Sequence, residues 1–152
     1  MMGAEARLAE LGITIPEVVP PVAAYQPTAR SGDLVFTAGQ LPARDGEMLA
    51  VGKLGGEVSE EQGYECARQC ALNALAAVRA EIGSLDDVKR VVKVVVFVAS
   101  TPDFTGQPKV ANGASELLGE VFGDAGKHAR SAVGVSVLPL DVPVEVEIVV
   151  EV

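Results

Sequence analysis

Tryptophan is missing from this 152-residue chain, and Phe and Tyr together make up only 4% of it. Stacking platforms for single-stranded bases are therefore scarce. Basic residues are outnumbered, 12 Lys and Arg against 21 Asp and Glu, giving a formal charge of −9. Phosphate contacts need clustered cations and would here work against the protein's own field, so no nucleic-acid partner is expected. Histidine occurs once, as His128, and cysteine twice, as Cys66 and Cys70. The cysteines stand four apart in a helical pattern and share one face, where they read as small buried hydrophobes. A metal site would want more Cys or His at ligand spacing, so no metal is expected. The longest apolar run, Val94 to Ala99, is far shorter than the ~20 residues of a membrane span. The opening MMGAEARLAELG has neither the basic start nor the long apolar stretch of a signal peptide. A soluble, cytoplasmic protein without a membrane partner is expected.

Apolar residues are plentiful: 49% of the chain is hydrophobic and only 22% charged, more than a small monomer usually hides. Oligomerisation is the natural outlet. The length suits one domain over 1–152, with 1–20 as an N-terminal extension. Glu5 to Leu11 can form a short helix there, which Gly12 ends. Val22 to Thr28 reads as extended and should pair with Leu34 to Ala38 across the Ser31-Gly32-Asp33 turn. A Gly- and Asp-rich loop follows, through Arg44-Asp45-Gly46 to Gly56. Ser59 and Gln62 have the form of a capping box, predicting a helix from about Glu60 to Ile82 whose apolar face is thick with alanine. Val88 to Ala99 is a β-branched stretch suited to a central strand. Pro108 opens a second long helix that Gly123 closes, and strands at Ala129–Val137 and Val144–Val150 complete the chain. The pattern is α+β, with two main helices on one face of a sheet. Something other than the chain itself must then cover the opposite face.

Within HARSAVGVSV, alternate residues share a face, so His128, Arg130, Ala132, Gly134 and Ser136 line one side. The valine side is expected in the core, which leaves Arg130, Ala132 and Gly134 on the uncovered face with Glu145 and Glu147. A guanidinium beside methyl groups and bare backbone leaves room for a small guest, and its planar fork suits a carboxylate. The plain alternative is an arginine paired with a structural acid or turned into solvent. If the last two strands form a direct hairpin, Arg130 falls opposite Glu151, and Glu145 lies about 20 Å away along the sheet. Either those strands are not neighbours or a shared site joins Arg130 of one subunit to Glu145 of another. We adopt the second as the expectation.

TAGQLP (Thr37 to Pro42), DVKRVVKVVVFVAS (Asp87 to Ser100), Asp103-Phe104, ARS (Ala129 to Ser131) and LPLDVPVEVE (Leu138 to Glu147) occur in that order and span nearly the whole chain. As an ordered set they resemble the Rid family, also called YjgF/YER057c/UK114 and sometimes labelled endoribonuclease L-PSP; the chain looks like a longer variant of it. The resemblance implies a chorismate-mutase-like (YjgF-type) α+β fold, a homotrimer with open sheet faces packed inside, and a ligand site at each subunit boundary. It also implies hydrolysis of 2-imino acids such as 2-iminopropanoate to 2-oxo acids and ammonia, without a cofactor. In it Arg130 holds the substrate carboxylate, Glu145 positions or polarises the attacking water, and Tyr25 closes over the guest. Holding an electrophilic imine and a water in attack geometry supplies much of the catalysis.

Two departures matter. Ala38 stands where the family's deaminases have serine and Ala132 where they have cysteine, leaving backbone N–H groups near Gly39 as the hairpin's hydrogen-bond donors. His128 shares strand parity with Arg130 and is a further candidate for the same cavity, or else a plain turn residue. The stretch Gly52 to Ser59 could fold over the site or be a surface loop without a role. A non-catalytic trimer that captures small carboxylates as a sensor or regulator is the competing function, and the two alanines favour it.

Overall fold

The computed structural model describes residues 2–18, 20 and 24–152. Helix α1 (Ala4–Leu11) stops at Gly12, whose left-handed backbone (φ 69) lets its N–H close back onto the last turn. Strands β1 (Thr28–Ser31) and β2 (Leu34–Thr37) form the expected hairpin around Gly32. The first lies later than the sequence suggested, sharing only Thr28 with the expected Val22 to Thr28 segment and running on to Ser31; Val22 and Ala23 lie outside the described residues. The loop that follows holds a small hairpin the sequence reading missed, β3 (Ala43–Arg44) and β4 (Glu47–Met48). Its turn residues Asp45 (φ 54) and Gly46 (φ 82) both take positive φ, as a tight Asp-Gly turn requires. Two-residue strands leave no alternation to read, which is why the pattern was silent.

Helix α2 (Glu60–Ile82) starts where its capping box directs: Ser59 Oγ accepts from the Gln62 N–H, and Gln62 Oε1 accepts from the Ser59 N–H. Strand β5 (Arg90–Ala99), helix α3 (Gln107–Phe122), strand β6 (Ala129–Val135) and strand β7 (Val144–Glu151) follow. The sheet order is β1-β2-β7-β5-β6, with β5 and β6 parallel and the other pairs antiparallel. The middle strand is β7; β5, read from sequence as central, is interior but one place towards the edge. The two closing strands are therefore not neighbours, since β5 lies between them, and the direct hairpin considered above does not form.

Helices α2 and α3 cover one sheet face. Val91, Val94, Val96 and Val98 of β5 and Val144, Val146, Ile148 and Val150 of β7 are buried beneath them, against Ala67, Ala71 and Ala74 of α2. Cys66 and Cys70 belong to the same layer; burial pushes the first thiol up to about 11 and the second well above its usual range, so both are inert hydrophobes. Asn73, buried on α2, donates to the Leu41 and Ala43 carbonyls and so ties the loop after β2 to the helix.

The opposite face has no cover among the described residues, and Phe36 and Val133 are 41% and 44% exposed there. This overturns the expected facing of β6. Arg130 pairs with Val94 and Ala132 with Val96, and paired residues share a face, so Arg130, Ala132 and Gly134 point toward the helices. Val133 pairs with Phe97 on the open face, and Val137, beyond the end of the strand, is 59% exposed. Hydrophobicity misled because this sheet is apolar on both sides; the small residues of β6 mark the approach of α3, not a guest on the open face.

Helices α2 and α3 cross tightly at Gly113, where an added Cβ would run into the Tyr64 carbonyl oxygen, while nothing lies near a Cβ at Gly119 of the same helix. Gly113→Ala is expected to destabilise by about 1–3 kcal/mol through overpacking. Gly119→Ala should stabilise by about 0.5–1 kcal/mol through helix propensity. Denaturant unfolding of both variants at one protein concentration checks the pair.

Candidate functional site at the free edge of the sheet

Strand β6 is an edge strand, and Arg130 sits on it beneath α3. Asn112 and Ser115, three apart on that helix and so on one face, meet the guanidinium: Arg130 Nη1 donates to Asn112 Oδ1 at 2.8 Å and to Ser115 Oγ at 3.1 Å. Both acceptors are neutral. Among the described residues no carboxylate comes within ion-pair distance of Arg130, so its charge stays uncompensated. The side chain is half-buried, neither locked to an acid nor turned into bulk water.

His128 joins the same cluster. Its Nε2 lies 2.9 Å from Ser115 Oγ and its Nδ1 lies 2.6 Å from the Gly126 carbonyl oxygen. A backbone carbonyl only accepts, so Nδ1 carries a proton, and in the neutral ring Nε2 is then the acceptor of the Ser115 hydroxyl hydrogen.

The edge itself offers donors. The Ser100 N–H donates to the Val135 carbonyl, so Val135, Val133 and Ser131 turn their backbone groups toward β5. Arg130, Ala132 and Gly134, of opposite parity, turn theirs outward from the sheet. Alanine in place of cysteine at position 132 therefore removes a side-chain polar group but leaves an outward backbone N–H on the strand that carries Arg130. Farther along the same strip a cavity of about 320 Å³ is lined by Ser100, Phe104, Gln107 and Gly134. A side chain at 134 would strike Ser100 Oγ and Gln107 Nε2, so glycine keeps that space open.

Glu145, Gly39 and Ala38 lie elsewhere. Between Phe36↔Val149 and Gln40↔Val146 the β2 side has one more residue than β7, a bulge that lifts Ala38 and Gly39 off the ladder. There the Gly39 Cα rests against the Glu145 carboxyl group, and a Cβ would collide with it. The Gly39 N–H makes no hydrogen bond among the described residues. Burial, and then the charge of Glu147 beside it, raises the Glu145 carboxyl above the usual carboxylate range. Ala38 donates its N–H to the Pro27 carbonyl, which brings the segment carrying Tyr25 to the same end of the hairpin. Tyr25 is exposed there, 45% accessible.

Within one chain, then, two half-sites form: Arg130, His128 and Ala132 on the helix side, and Glu145 with Gly39 and Ala38 at the open face, with Tyr25 exposed in the segment that leads into β1. Placing Arg130 and Glu145 together on the open face, as the sequence suggested, is incorrect. Both are read off β5, where Arg130 is level with Val94 and Glu145 with Phe97, so they stand about 10 Å apart along the strands and on opposite faces. The Gly52–Ser59 stretch does not reach Arg130. Leu54 is buried and bonded to Ala99 and Thr101 at the far end of β5, where Gly55 packs on Thr101 and Phe104 beside the cavity. Asn112 and Ser115 were missed in the sequence; their only signal is two polar residues three apart in a helix whose buried residues include Val110, Ala111, Ala114 and Leu118. Among the described residues no three His, Cys, Asp or Glu side chains cluster as metal ligands, and no helix is long and apolar enough to cross a membrane.

Comparison with known proteins adds the family. Residues 5–152 match the model described as "YjgF/chorismate_mutase-like, putative endoribonuclease". Protein TCP17 of Trypanosoma cruzi is 46% identical over 147 residues, 96% of this chain and 92% of its own length. A 2-iminobutanoate/2-iminopropanoate deaminase of Dermatophagoides farinae is 30% identical, covering 91% of this chain and 93% of its own. The crystal structure of Atu1372, a protein of unknown function from Agrobacterium tumefaciens, superposes with a TM-score of 0.89 at 41% identity, covering 98% of this chain and 91% of that one. With motifs, sheet order and a nearly chain-long match in agreement, this chain belongs to the YjgF/Rid family.

Proposed function

We propose that the protein hydrolyses small 2-imino acids to 2-oxo acids and ammonia, in clefts formed where copies of the chain meet as a homotrimer. The observation that carries this reading is an accessible, half-buried guanidinium held by neutral acceptors and facing no acid of its own chain. Such a cation is stabilised by binding an anion, and a planar carboxylate matches its remaining N–H groups. The mite relative's name supplies the reaction class.

In this reading the substrate carboxylate docks on Arg130 and the outward N–H of Ala132. Water adds to the imine carbon as Glu145 takes one of its protons. That proton passes to the nitrogen, and the resulting carbinolamine collapses to the C=O with loss of ammonia. A carboxylate raised by burial and by Glu147 is a better base than an ordinary one. Tyr25 and the free Gly39 N–H stand on the Glu145 side, where they can close over and orient the guest.

The two half-sites are too far apart, and on the wrong faces, to share a three-carbon substrate within one chain. Packing open faces together about a threefold axis would cover Phe36, Phe97 and Val133 and set the β6 edge of one copy near Glu145 of the next. The second reading, a trimer that binds small carboxylates without turnover, is favoured by Ala38 and Ala132, which leave fewer polar side chains near the guest. An endoribonuclease role, carried by the family description, fits poorly with a charge of −9 and 4% aromatics.

Following the loss of 2-iminopropanoate generated in situ tests the activity. Wild type should exceed buffer, and Arg130→Lys, which keeps charge but loses the fork, should lower kcat/KM by about tenfold or more. Equal rates would transfer support to the binding module. Mixing Arg130→Ala with Glu145→Ala chains under subunit exchange should restore part of the activity; no recovery would show that each chain supplies both groups. The acid limb of the pH–rate profile should sit above the ordinary carboxylate range, because Glu145 must lose its proton to act. Glu147→Gln removes the like charge and should move that limb to lower pH.

A further inference from the structure

The guanidinium of Arg130 has five N–H groups, and the helix takes a particular two. Both hydrogens of Nη1 are spent, one on Asn112 Oδ1 and one on Ser115 Oγ. Nε and Nη2 meet no protein acceptor among the described residues, and neither is a buried orphan, so that edge stays accessible. It is the edge that grips a carboxylate side-on through two parallel hydrogen bonds.

Ser115 can hold Nη1 only if its own hydroxyl hydrogen is turned elsewhere. The lone histidine ensures this. The Gly126 carbonyl fixes the ring proton on Nδ1, so Nε2 is left as an acceptor, and the Ser115 hydroxyl donates to it. The Ser115 lone pairs are thereby aimed at Arg130. The chain of donors runs from Arg130 to Ser115 to His128 to the Gly126 carbonyl with one consistent direction. The opposite ring tautomer would leave the Gly126 carbonyl facing a bare nitrogen and make Ser115 an acceptor from both His128 and Arg130.

We propose that His128 and Ser115 are positioning residues that lock the Arg130 fork with its Nε/Nη2 edge toward the guest, so that the site takes a carboxylate side-on and discriminates against the corresponding amide. This rests on the reading of Arg130 as the carboxylate clamp. Neither residue touches the substrate. His128 acts only through Ser115, and its role is set by which ring nitrogen carries the proton.

A single histidine makes the first measurement clean. Long-range proton–nitrogen NMR correlation on wild-type protein without ligand should show a neutral imidazole protonated at Nδ1; a proton on Nε2 overturns the proposal whatever the protein catalyses. The second measurement is calorimetric titration with pyruvate and with pyruvamide. Ser115→Ala should weaken pyruvate binding about fivefold, the scale of one ordinary intramolecular hydrogen bond, and leave the weaker pyruvamide affinity unmoved. His128→Asn, whose amide reaches Gly126 but not Ser115, should do the same. His128→Gln, whose carbonyl can accept from Ser115, should restore most of the loss.

The double variant Ser115→Ala/His128→Asn should be no worse than Ser115→Ala, because the second change acts through a group already removed. Additive losses, or pyruvate and pyruvamide affected alike, would mean a general packing role and refute the relay. If Arg130→Ala binds pyruvate as well as wild type does, the clamp reading itself fails. If Arg130→Ala loses pyruvate but Ser115→Ala does not, only the relay fails.

Discussion

The parallel pairing of β6 with β5 is the constraint on which the site depends. It sets Arg130 level with Val94, in the row that the helices bury, and it leaves the other edge of β6 without a strand. One register shift would turn every side chain of β6 over: the guanidinium would move to the apolar open face, and Val133 would be pushed against α3. Because the register holds, a cation is placed in the narrow gap between a strand and a helix. The cost of partial desolvation is offset by neutral hydrogen-bond acceptors without cancelling the charge.

The pairing also explains the distribution of small residues. Ala132 and Gly134 lie under α3, and Gly113 lies where α3 crosses α2. Helix α3 is thus pressed close on both sides, near enough for Asn112 and Ser115 to reach a side chain on the strand below. Packing and chemistry are the same fact here: bulkier residues would push the helix outward and release the guanidinium. On the other face, one extra residue in the β2 ladder lifts Gly39 onto Glu145, so a backbone irregularity, and not a side chain, shapes the second half-site.

The separation of the two half-sites makes assembly part of the chemistry we propose. A sheet with Phe36, Phe97, Val95 and Val133 uncovered has an apolar face of the kind that proteins bury against copies of themselves. The same contact that hides this face can bring a carboxylate clamp to a base, so stability and activity would be gained in one step.

Much of the fold is legible in local patterns. The capping box at Ser59, the alanine-rich face of α2, the proline in the first turn of α3 and the apolar–acidic alternation that opens β7 each act over a few residues, and the elements form where those signals lie. Arg130, Glu145 and Gly39 could be singled out for the same reason, as residue types in a recognisable run. Facing could not be read for β6, because a strand between two apolar environments has no polar side to orient it. Nor could the order of the sheet, the partnership of Asn112, Ser115 and His128 with Arg130, or the bulge at Ala38-Gly39. These depend on which strand comes to lie beside which, a choice made by the packing of the whole chain, where residues far apart in sequence compete for the same neighbours.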